Sequence, residues 1–138
     1  MSAQKKMLRK IDLGFVSLEL VRSNIVCINC LVEEIVTVEK GIQIIEGIKQ
    51  LVGDIPHASI INSADLYAPY KEFFKFIMSQ RNAEKDHIIA RALVSTNPAS
   101  RIESQNFISF YKPLTPTKLF STVEDAIDWI EPQFNKAD

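Results

Sequence analysis

Residues 88–101 read IIARALVSTNPASR, and the fold follows from how this stretch divides. Ile88, Ala90, Ala92 and Val94 alternate with Ile89, Arg91 and Leu93 over residues 88–95, the period of a β-strand. Asn97 and Pro98 then form a helix opening: an asparagine cap followed by a proline, whose missing N–H costs nothing in the first turn. Ile102, Phe107, Ile108 and Phe110 continue at helical spacing. A strand that runs through a short polar loop into a capped helix is a βα unit, and the rest of the chain repeats it.

Downstream, Thr117–Phe120 is a short strand. Thr122 caps a closing helix with Asp125 three residues on, and Ala126, Ile127, Trp129 and Ile130 dock it. Upstream, Ala58–Asn62 is a strand, and Pro69 suits the first turn of a helix whose inner face is Phe73, Phe74, Ile77 and Met78. Thr37 is the expected cap of an earlier helix, with Ile42, Ile44, Ile45, Ile48, Leu51 and Val52 at helical spacing and Gly53 ending it.

Residues 13–22 and 25–32 are two further strands. A plain two-residue turn at Ser23-Asn24 would set Leu18 against Asn29, on the wrong face. A three-residue loop with Asn24 in the left-handed region sets Leu20 against Val26 instead, and that is the expected register. The order is ββαβαβαβα: an α/β fold with a mixed sheet of about five strands and about four helices, the strands after the hairpin joined by parallel crossovers. Ser17, Glu19, Cys27, Asn29 and Arg91, among Phe15, Ile89 and Leu93, are expected to form a half-apolar open sheet face suited to a homodimer.

The 138 residues suit one domain, residues 11–134, preceded by a basic tail over 1–10 that carries Lys5, Lys6, Arg9 and Lys10 and is expected to be disordered. The formal net charge of −1 lacks the basic excess of a nucleic-acid binder. No apolar run approaches the ~20 residues of a membrane span, and none resembles a signal-peptide core, so a cytoplasmic location is expected.

Cys27 and Cys30 have C-x-x-C spacing, but on a strand their sulfurs point to opposite faces, so neither a disulfide nor a shared metal is expected. His57 and His87 stand at strand starts without a partnering motif. Neither G-x-S-x-G nor a glycine-rich phosphate loop occurs. Glu33-Glu34 and Glu124-Asp125 are adjacent carboxylates that do not converge on one substrate, and those at a helix start complement its dipole. The expectation is therefore a chain without catalytic residues, cofactor or metal.

Two polar loops remain, each at the carboxyl end of a parallel strand, where ligands of open α/β sheets bind. The first supplies Asn62, Ser63, Asp65, Tyr67, Tyr70 and Lys71, the second Thr96, Asn97 and Arg101. The same residue types also build ordinary turns and caps.

Residues 90–132, ARALVSTNPASRIESQNFISFYKPLTPTKLFSTVEDAIDWIEP, resemble the small bacterial STAS-like (SpoIIAA-like) proteins. The likeness rests on Ala90 and Ala92 in a strand, Arg101 with Phe107 and Phe110 in a helix, Pro116–Phe120, and Ala126 with Trp129-Ile130. More loosely, it extends over residues 11–132. The resemblance implies a mixed sheet packed with helices and a regulatory role through partner proteins. It also implies a phosphorylated serine at the start of the helix after the third strand. Tyr70, Lys71 and Glu72 stand there, and no Ser or Thr occurs between Ala64 and Met78. The expected function is thus a regulatory protein-interaction module, partner unknown, without the switch serine. The alternative is a carrier or sensor of a lipid or other small apolar ligand beside Phe73, Phe74 and Phe76.

Overall fold

The structure is a computed structural model and describes residues 9–67, 75 and 88–136. Its strands are β1 (Lys10–Asp12), β2 (Val16–Arg22), β3 (Ile25–Cys30), β4 (His57–Ala64), β5 (Ile88–Ser95) and β6 (Thr117–Phe120). The helices among the described residues are α1 (Val38–Val52), α2 (Pro98–Tyr111) and α3 (Val123–Lys136). The expected helix carrying Pro69, Phe73, Phe74, Ile77 and Met78 lies outside the described residues.

The six strands form one sheet in chain order, β1-β2-β3-β4-β5-β6. β1, β2 and β3 pair antiparallel, and β3 to β6 pair parallel. The sixth strand is β1. Its three residues, KID, are too few to show alternation, and sequence reading places Lys10 in a basic tail. Leu20 N–H donates to Arg9 O (2.8 Å) and the Arg9 guanidinium to Leu20 O (3.1 Å), so the sheet holds the chain from Arg9 onward.

In the hairpin Leu20 faces Val26 and Leu18 faces Ile28, the expected register. The device that sets it differs from expectation. Arg22 pairs with Ile25 across a tight Ser23-Asn24 turn, and the register slips between Leu20 and Arg22, leaving Val21 as a bulge. Asn24 is not among the residues with positive φ. An extra residue in one strand restores the match of apolar faces as well as an extra loop residue would.

Capping residues delimit the helices. Thr37 Oγ1 accepts from Lys40 N–H (3.3 Å), Asn97 Oδ1 from Ser100 N–H (3.1 Å) and Thr122 Oγ1 from Asp125 N–H (3.1 Å). Gly53 closes α1 at φ 69°, a left-handed conformation that favours glycine.

The helices of the β3–β4 and β5–β6 crossovers, α1 and α2, lie on one face, as the usual right-handed connection requires. There α1 and Phe107 of α2 cover Val16, Leu18, Leu20, Val26, Ile28, Ile61 and Leu93. On the other face Ala126, Ile127 and Ile130 of α3 cover Ile25, Cys27, Ala58, Ile60, Ala90, Ala92 and Val94. The sheet therefore has two cores, and this corrects the expected open face. Cys27, Ile60 and Ala92 are neighbours under α3, whereas Arg91 and Leu93 belong to the face under α1 and α2. Ser17, Cys27, Arg91 and Leu93 are all buried. Burial lowers the Arg91 guanidinium to about 10, which leaves it cationic at neutral pH. The α1 stripe is also rotated from expectation: Gly41, Ile44, Gly47, Ile48, Leu51 and Val52 face inward, and Ile42 is exposed.

Candidate functional site

The two polar loops meet at the carboxyl ends of β4 and β5. The β4–β5 register slips between Asn62 and Ala64, which leaves Ser63 as an extra residue. Its buried hydroxyl donates to Val94 O (3.3 Å). Asn62 lies half-buried on the opposite side, where its Nδ2 donates to Asn29 Oδ1 (2.9 Å) and its Oδ1 accepts from Ala64 N–H (3.0 Å). That turn holds Ala64 at φ 51°, a left-handed conformation unusual for alanine.

Ala64 O then gathers the second loop. It accepts from Thr96 N–H (2.8 Å), Thr96 Oγ1 (3.3 Å) and Ser95 Oγ (3.4 Å). Asn97, besides capping α2, donates its Nδ2 to Asp65 O (3.1 Å), and Ser100 Oγ donates to Leu66 O (3.2 Å). Arg101 reaches the other way. Its Nη1 donates to Ser95 O (2.6 Å), Phe120 O (3.3 Å) and Ser121 Oγ (3.1 Å), tying the ends of β5 and β6 together. Asn62, Ser63, Asn97 and Arg101 are thus brought together, with their polar atoms engaged by the protein's own loops.

The outward side is formed by Asp65, Tyr67 and Thr96, all exposed. Tyr67 is fixed at both ends by carboxylates that sequence reading did not connect with it. Its N–H donates to Glu33 Oε2 (2.8 Å) in the β3–α1 connection, and its hydroxyl donates to Glu103 Oε2 (2.5 Å) on α2. The hydrogen bond to Glu103, with that group's negative charge, raises the Tyr67 phenol above its ordinary 10.0. Contacts spanning 34 and 36 residues leave no local pattern in a sequence. Tyr70 and Lys71 lie outside the described residues, as do Phe73, Phe74 and Phe76 of the apolar-ligand alternative.

Elsewhere, Cys27 lies in the core under α3 and Cys30 against the opposite core, as strand geometry requires. Among the described residues no group of His, Cys, Asp and Glu converges as a metal site. His57 stands at the start of β4, the end of the sheet away from the rim, with Nδ1 3.0 Å from Ile55 O. An open, charged cleft of ≈ 610 Å³ lies between β2 and α3, with Arg9, Glu19, Arg22, Glu124 and Asp128 on its walls. No described helix is long and apolar enough to cross a membrane.

Residues 19–133 match a domain of unknown function, DUF7793. The chain belongs to the DUF7793 family. The match begins inside β2 and ends inside α3, so the DUF7793 domain contains β3 to β6, both polar loops, and the Glu33 and Glu103 carboxylates. No curated protein and no solved structure matches the chain.

Proposed function

We propose that this DUF7793 protein is a non-catalytic STAS-like (SpoIIAA-like) regulatory module that acts by contact with a partner protein through the rim around Tyr67. The observation that carries the reading is the double anchoring of Tyr67 by Glu33 and Glu103. An exposed aromatic side chain held in place before binding loses little conformational freedom on binding, which is the property of an interface anchor. The engaged state of Ser63, Asn97 and Arg101 supports a structural role for them, with Asp65, Tyr67 and Thr96 as the display. The sequential βα order supports the STAS-like reading. With Tyr70, Lys71 and Glu72 where the switch serine would stand, recognition works by surface complementarity without a phosphate switch.

The test is affinity capture from host lysate with the parent chain and with Asp65→Ala combined with Tyr67→Ala, quantified by mass spectrometry. The variant is expected to lose specific partners while its Tm stays within a few degrees of the parent. Capture that is unchanged by the substitutions would overturn the assignment of the rim.

A further inference from the structure

Two exposed apolar patches, one at each end of the sheet, carry opposite charge. The first lies in the β3–α1 connection and the start of α1: Leu31 46%, Val32 39%, Ile35 55%, Val38 52% and Ile42 45% exposed. It is set among carboxylates. Glu33, Glu34, Glu39 and Glu46 accompany it, and the one cation of the segment, Lys40, is salt-bridged to Glu34. The second patch lies where α2 ends and turns into β6. Phe110 is 83% exposed, Leu114 60% and Tyr111 42%. Lys112 lies within it, and no carboxylate occurs in the sequence between Glu103 and Glu124.

Topology keeps the two apart in one molecule. The parallel strands share a direction, so the β3–α1 connection lies at their carboxyl ends, and the α2–β6 connection lies at their amino ends. Neither patch can cover the other within one copy, but a second copy displaced along the strand direction brings them face to face. Apolar surface with complementary rims is the composition of a specific protein contact, whereas two acidic patches or two basic ones would repel.

We propose that copies of this chain associate head to tail, with the Phe110, Tyr111 and Leu114 corner of one seated on the Leu31–Ile42 patch of the next. Such a contact is heterologous: each copy uses both surfaces, and the assembly closes into a ring or extends as a filament. It leaves the two-fold sheet-face dimer aside; its patch adjoins the Tyr67 rim and shares Glu33 with it, but the test uses neither Tyr67 nor Glu33.

Sedimentation velocity of the full chain over a concentration series tests this. Parent protein is expected to form species larger than a dimer, and to dissociate as salt screens the charged rims. Ile35→Glu and Phe110→Glu each remove one surface at an exposed position, and each alone is expected to weaken association at least about tenfold. Circular dichroism should show both variants folded. An equimolar mixture of the two is diagnostic: the intact corner of one meets the intact patch of the other, giving a 1:1 heterodimer that cannot grow. A monomeric parent at every concentration and at low salt would overturn the proposal. So would variants that associate like the parent, or a mixture that stays monomeric.

Discussion

Gly47 of α1 lies so close to Leu18 of β2 that a β-carbon on the glycine would overlap Leu18 Cδ1. Leu18 is fully buried and cannot swing away. The glycine is what lets the helix settle onto the hairpin. Gly47→Ala should therefore destabilise the protein by about 1–3 kcal/mol through overpacking, although alanine is the better helix former by about 1 kcal/mol. Urea denaturation measures the balance. Unchanged or increased stability would mean that α1 shifts outward at little cost.

Arg101 is expected to matter for stability as the tie between the ends of β5 and β6. Its guanidinium serves acceptors on Ser95, Phe120 and Ser121, two of them backbone carbonyls at strand ends. Arg101→Met should cost about 1–3 kcal/mol in denaturant unfolding, the range for losing hydrogen bonds to a charged group. Arg101→Lys should recover only part of this: all three bonds converge on Nη1, and the shorter lysine stem ends before that position. Full recovery by lysine would show that charge alone suffices.

The Tyr67–Glu103 hydrogen bond has a titration signature. The neutral phenol donates to the carboxylate, so the bond favours the protonated form and raises the phenol above 10.0. Glu103→Gln should move the Tyr67 transition down in an ultraviolet pH titration, with Tyr67→Phe identifying the transition. A titration unmoved by Glu103→Gln would place Glu103 away from the phenol in solution.

Burial pushes the Cys27 thiol up from its ordinary 9.0 to about 12, with lesser contributions from Glu19 and Cys30. At pH 8 its thiolate fraction is roughly a thousandfold below that of an ordinary exposed thiol. Iodoacetamide should accordingly label Cys30 first and Cys27 only on unfolding. The unfolded chain loses this proton before the folded one. Cys27 protonation therefore contributes stability that is complete below about pH 9 and is lost as pH rises towards 12. Equal labelling of both cysteines in the native protein would contradict the buried placement.

Locally written features were legible in the sequence. Asn97-Pro98, Thr37 with Gly53, and Thr122 with Asp125 mark helix ends within a few residues, and the structure uses each. The Leu20–Val26 register followed from the need to match apolar faces. What failed was the relation between distant elements. Alternation in β5 shows that Ala90 and Ala92 share a side, but not that this side is the one under α3, with Cys27 and Ile60. That choice rests on pairings between strands that the residues of β5 do not encode.

The candidate site divides in the same way. Its members could be named because polar residues cluster after β4 and β5, but their work could not. Ser63, Asn97 and Arg101 satisfy carbonyls that the loops would otherwise leave unpaired, a demand visible only once the backbone has a path. Glu33 and Glu103 were missed as partners of Tyr67 because each comes from an element far away along the chain.

Because the sheet is laid down in chain order, vectorial synthesis on the ribosome meets little topological delay. Each strand after the first finds its neighbour already made, and no edge position must be held open for a segment translated later. The β1–β3 meander supplies the template, and each later parallel strand adds at the growing edge. The loop-closure entropy that slows sheets with distant pairings is thus divided into small steps. A chain halted after β5 would expose an eight-residue edge, and the last pairing replaces it with the four-residue β6, a short edge of the kind that limits association.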